Sequence, residues 1–116
     1  MADICITAPR FDAADALRAA LSERGLDVSL GFRPTCHTLV QGGPVSDQAA
    51  LVEMARKLGA KRVVVLEPEA ETWGVRGTLG GRILHVDLPA EGGAATLMAL
   101  VDLLASPFSA MVLADP

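Results

Sequence analysis

Three residues that could bind a charged group or move a proton, Arg76, His85 and Asp87, share one face of a predicted β-hairpin. The hairpin spans residues 73–88 and turns at Gly80-Gly81, because glycine supplies the positive φ that a tight turn needs. In this register Arg76 lies opposite His85 and diagonal to Asp87, on a face predicted to be exposed to solvent. The apolar residues fall on the other face. Arg76 and His85 are therefore candidates for contact with an acidic partner.

Two predicted strand-to-helix turns are the other candidate sites. Such turns often bind ligands in open α/β sheets. Arg10 in the first turn, and Gly42, Gly43 and Ser46 in the second, could hold a phosphate or carboxylate at a helix N-terminus. Neither turn carries a Walker lysine or a GxGxxG motif. Ordinary loop and cap chemistry explains both turns as well, so the anionic ligand is an alternative interpretation.

The thiols and imidazoles do not indicate a catalytic or metal site. Cys36 precedes His37, but neighbouring strand residues point to opposite faces, so this pair cannot easily form a nucleophile and its base. Cys5 and Cys36 lack CxxC spacing, and the two histidines do not complete a metal-ligand pattern. We predict buried structural cysteines, no catalytic residues, no metal and no cofactor.

Composition limits the class of protein. The 116 residues suit a single domain, residues 1–116, and 51% of them are hydrophobic. The net charge of −4 and the lack of a basic cluster argue against nucleic-acid binding. No apolar stretch is long enough for a membrane span. The absence of a recognisable secretory leader predicts a cytoplasmic location, or a periplasmic one if the chain is an excised domain.

The pattern of elements predicts an α/β fold, a sandwich with a mixed five- to six-stranded sheet and three helices. The order is β-α-β-β-α-β-β-β-α, ending in the hairpin and a last helix. In the segment 61–66 a basic pair is followed by a continuous apolar run, which is typical of a central strand covered on both faces. Asp12, and then Ser46 or Asp47, are expected to cap the first two helices. Glu67, Glu69 and Glu71 alternate around Pro68 and are interpreted as a solvated edge.

The last helix, from about Ala94 to Ala105, is apolar on nearly every side, and an apolar tail follows it. A helix of this kind is either deeply buried or covered by a partner. We predict an interface with a protein partner or a second copy, although the tail could instead fold back over the helix. The predicted interface residues are Leu97, Leu100, Val101, Leu104, Phe108 and Met111, together with Arg76 and His85 on the hairpin.

Much of the chain resembles the TolB amino-terminal and CsgG-like modules of bacterial envelope assemblies. The resemblance is carried by a helix ending in Leu58-Gly59-Ala60, the strand Arg62-Val63-Val64-Val65, the hairpin and helix that follow, and the earlier segment Arg24-Gly25-Leu26-Asp27-Val28. It implies a non-catalytic module that docks partners or builds oligomers, and it transfers no catalytic residues. The chain departs from these modules in lacking an export signal.

Two functions follow as hypotheses. The leading one is a non-catalytic interaction or assembly module that uses the last helix and tail. The alternative is a domain that binds an anionic small molecule, or acts on it, at the strand-to-helix turns. The alternative requires those two turns to meet at the same edge of the sheet around a concave pocket.

Overall fold

The computed structural model describes residues 3–7, 14–31, 36–43, 46–57, 59–78, 83–89 and 93–105. Nine elements lie in these ranges. In chain order they are β1 (Ile4–Thr7), α1 (Ala14–Glu23), β2 (Val28–Leu30), β3 (Thr38–Gly42), α2 (Gln48–Lys57), β4 (Arg62–Ala70), β5 (Gly74–Thr78), β6 (Ile83–Pro89) and α3 (Gly93–Ala105). The predicted α/β class and element order are confirmed.

The six strands form one mixed sheet in the order β2-β1-β3-β4-β6-β5. Every neighbouring pair is parallel except β5 with β6, which is antiparallel. The chain leaves β1 for β2 on one side and later returns to β3 on the other side. The sheet therefore has its topological switch point between β1 and β3, where open α/β sheets commonly bind ligands.

Glycines end α1 and α2 in the same way. Gly25 and Gly59 have φ angles of 86° and 82°, a backbone conformation that residues with a Cβ rarely adopt. After each glycine the chain turns back, and the amides of Leu26 and Ala60 donate to Leu21 O and Ala55 O at 3.2 and 2.9 Å. These bonds satisfy carbonyls at the helix ends and aim the chain into the next strand.

Helices cover both faces of the sheet, which makes three layers. On one face, Leu17 and Leu21 of α1 and Leu100 of α3 pack with alternate strand residues such as Val64 and Val86. On the other face, Leu51 and Ala55 of α2 pack against the remaining strand residues, which include Cys5, Leu39, Val63, Val65 and Ile83. The predicted central strand is confirmed, because β4 lies between β3 and β6 and carries apolar residues on both faces.

The predicted hairpin register is confirmed, but its predicted position in the fold is wrong. Arg76 pairs with His85 and Val75 with Val86, while the Gly80-Gly81 turn lies outside the described residues. However, β6 is an internal strand that also pairs with β4, and its residues 83–86 are buried on both faces of the sheet. Of the two hairpin strands only β5 lies at an edge of the sheet, and Trp73 and Val75, expected on the core side, are exposed.

The predicted interface on α3 is largely core. Leu100, Val101 and Leu104 are 0, 1 and 2% exposed, and they pack against α1 and the sheet within the same chain. Leu97 is partly buried against the same core, whereas Met98 is 50% exposed. A helix in a three-layer fold can thus be apolar because its own sheet covers it. Phe108 and Met111 lie outside the described residues.

Candidate functional site at the carboxyl edge of the sheet

The turns after β1 and β3 leave the sheet at the same edge. The two strands are parallel neighbours, and Thr7 is the Cα partner of Gln41 at their carboxyl ends. The Thr7 hydroxyl donates to Gln41 Oε1 at 2.6 Å and lies 3.2 Å from Val40 O. The first condition of the ligand-binding alternative, a shared edge, is therefore present. The second, a concave pocket between the turns, falls on residues 8–13 and 44–45, which lie outside the described residues. Arg10, which follows β1, lies outside the described residues.

Gly43 serves packing within the chain rather than contact with a ligand. Its amide donates to Leu66 O at 2.8 Å, so this N–H is already engaged. A Cβ at Gly43 would lie 3.1 Å from both Leu66 O and the Glu67 carboxyl carbon. The glycine thereby allows the Glu67 carboxylate to lie against the end of β3, beside Gly42. The predicted anion cradle of backbone amides is not supported at Gly43.

Asp47 occupies the N-terminus of α2. Its carboxylate accepts a hydrogen bond from the Ala50 amide at 3.0 Å, which makes it the N-cap that was one of two predicted alternatives. Ser46 precedes it and is exposed. Because a carboxylate of the chain already binds this helix end, a phosphate at the same place would meet a like charge.

His85 is buried, which corrects its predicted place on a solvated face. The residue is 4% exposed because α2 covers this part of β6. Its Nε2 lies 3.1 Å from the side-chain nitrogen of Gln48, the first residue of α2. Its Nδ1 is 3.5 Å from Glu67 Oε1 and, although buried, makes no hydrogen bond. His85 therefore lies in the protein interior next to Glu67, and it is not part of an exposed contact surface.

Glu67, interpreted from the sequence as part of a solvated edge, is instead partly buried beside His85. It continues the alternation of Val63 and Val65 on the α2 face, and its side chain is 29% exposed. The adjacent Asp87, its Cα partner on β6, forms an ion pair with Arg76 at 3.4 Å, as the predicted register implies. The signal that could have identified Glu67 is this alternation, continued beyond the apolar run.

The thiols are structural, as predicted. Cys5 and Cys36 are both buried on the α2 face, and neither forms a disulfide. The Cys36 thiol donates to Thr38 O at 2.9 Å. Burial, followed by hydrogen bonding with Cys5, raises the pKa of Cys36 to about 12. A thiol that keeps its proton so firmly is a poor nucleophile.

This raised pKa predicts an alkaline loss of stability. The unfolded thiol titrates near pH 9, while the native thiol holds its proton to about pH 12, so the free energy of unfolding falls as pH rises between these values. The slope should be at most about 1.4 kcal/mol per pH unit. Urea unfolding of the wild type and Cys36→Ala across this range measures it. A slope equally steep in the variant would contradict the assignment.

The described residues contain neither a metal-binding cluster nor a membrane-spanning helix. No cluster of three or more His, Cys, Asp or Glu side chains there is arranged to hold a metal ion. No helix in the same ranges has the length and apolar character needed to cross a membrane.

Comparison of the chain with protein-family models, curated proteins and solved structures finds no match. The fold by itself defines the class of this protein. It is a three-layer α/β domain with a polar cluster at the carboxyl edge of its sheet. The resemblance to TolB amino-terminal and CsgG-like modules stays a prediction.

Proposed function

We propose that this chain is a small-molecule-binding α/β domain whose site lies at the carboxyl edge of β1, β3 and β4. The observation that carries the proposal is the placement of Thr7, Gln41 and Glu67. They come from three adjacent parallel strands and lie on the face covered by α2. Side chains at this edge of an open α/β sheet are positioned to contact a ligand seated at the switch point.

The polar residues beneath the edge support binding rather than bond-breaking chemistry. His85 is the imidazole nearest to the edge among the described residues, and its two ring nitrogens face Gln48 and Glu67. It therefore faces side chains of its own chain rather than a substrate. We also propose a cytoplasmic location, which the two thiols support because cysteines remain reduced there.

A ligand-observed NMR screen tests the proposal. The panel contains amines, amino acids, nucleosides, sugars and phosphorylated compounds, each added to the wild type and to Glu67→Ala. We expect at least one compound to bind the wild type and to lose about tenfold or more in affinity in the variant, the effect of about 1.4 kcal/mol.

The matched control is Glu71→Ala, which removes an exposed carboxylate four positions along the chain. It should leave binding unchanged. Binding that survives Glu67→Ala, or a panel in which nothing binds, would contradict a site at this edge.

The interaction module is a second candidate, and the observation that favours it is the sheet edge at β5. In the described sheet β5 pairs only with β6. Trp73, just before β5, and Val75, within it, are 37 and 42% exposed. An uncovered strand edge can pair with another chain. Sedimentation of the wild type and Val75→Lys distinguishes the two candidates, since a wild-type monomer would exclude self-association through β5.

A further inference from the structure

The Glu67 carboxylate is partly withdrawn from water. Gly43 leaves the space in which its carboxyl group lies, at 3.1 Å from the place of a Cβ. His85 lies behind it, and less than a third of the Glu67 side chain is exposed. A carboxylate with this little access to water gains more from a charge-assisted hydrogen bond than a fully solvated one.

His85 independently indicates a ligand at this carboxylate. The amide nitrogen of Gln48 donates to His85 Nε2, which leaves the ring proton on Nδ1. That Nδ1 is buried without a hydrogen bond, and it faces Glu67 Oε1 at 3.5 Å. An unpaired buried donor costs about 1–3 kcal/mol. A ligand that closes over Glu67 and moves its carboxylate inward by about half an ångström would complete this hydrogen bond.

The charges around the edge favour a cation. Among the described residues near it, Arg76 is already paired with Asp87. Asp47 caps α2 with a further negative charge. In the described part of the chain, therefore, no arginine or lysine pairs with Glu67. A ligand would have to bring that positive charge. An anionic ligand, expected from the sequence, would be repelled here.

We propose that the ligand of this edge carries a positively charged nitrogen, an ammonium or guanidinium group, which donates to the Glu67 carboxylate. The proposal rests on the proposed function and names the class of ligand.

Titration of the ¹⁵N-labelled chain with agmatine, which carries both cationic groups, tests this. Agmatine should shift the amide signals of Gly43, Gln48 and Glu67. Its affinity should fall about tenfold or more in Glu67→Gln, which keeps the shape of the side chain and removes its charge. Glu71→Gln is the control that should bind as the wild type does. Glu67→Asp, which retracts the charge, should bind with intermediate affinity.

Inorganic phosphate is the opposing probe. If phosphate shifts the same amides and agmatine does not, the inference fails while a binding site at the edge stands. The same holds if a neutral compound from the panel binds there and agmatine does not. Agmatine shifts that are unchanged in Glu67→Gln also overturn the inference. If neither agmatine, phosphate nor any panel compound shifts the edge amides, the proposed function fails with it.

Discussion

Leu100→Ala is expected to lower the free energy of unfolding by about 2–5 kcal/mol, the range for leucine truncations in well-packed cores. The side chain is fully buried between α1 and the sheet, so the substitution removes transfer free energy and leaves a cavity. Urea unfolding followed by circular dichroism measures the loss. The loss should not depend on protein concentration, because the chain covers this residue by itself.

Met98→Ala is the matched control on the same helix. Its side chain is half exposed, so the substitution should change stability by no more than about 0.5 kcal/mol. Similar small losses for both variants, or a loss for Leu100→Ala that grows on dilution, would show that α3 is covered by a partner.

Arg62→Met is expected to cost about 3 kcal/mol, the second-largest effect. Arg62 is buried at the start of β4, where it donates to Thr38 Oγ1 at 3.1 Å and to Leu104 O at 2.9 Å. The last turn of α3 contains no basic residue, so Arg62 brings a cation to that helix end from the sheet. Methionine fills similar space but leaves both acceptors buried without this donor.

Lys61→Met, at the exposed neighbouring position, is the control and should be near neutral. Burial lowers the pKa of Arg62, which is the direction expected of a cation withdrawn from water. Equal stability of the two variants in urea unfolding would mean that the guanidinium does not hold α3 to the sheet.

Local patterns predict the elements well because their causes are local. The apolar run at 63–66 predicts a central strand, and alternation across the Gly-Gly turn predicts the register that pairs Arg76 with His85. Asp47 has the side chain and position that an N-cap requires. These features depend on residues close in sequence, and each is present in the structure.

The position of an element in the sheet depends on distant residues. His85 is buried because β6 pairs with β4 and lies under α2, which the hairpin itself does not indicate. Likewise, an apolar pattern shows that α3 must be covered but not by what. Glu67 was interpreted as part of a solvated edge because it alternates with Glu69 and Glu71 around Pro68. Instead β4 continues through Pro68 to Ala70, with a register shift between Glu67 and Ala70.

An amide chemical-shift map of the strongest binder in the panel tests the proposed site most directly. We expect the largest shifts at Gln41, Gly43, Gln48 and Glu67, which lie at the carboxyl ends of β3 and β4 and at the start of α2. Shifts concentrated instead along β5, or at the opposite edge around Asp3 and Lys61, would contradict a binding site at the carboxyl edge.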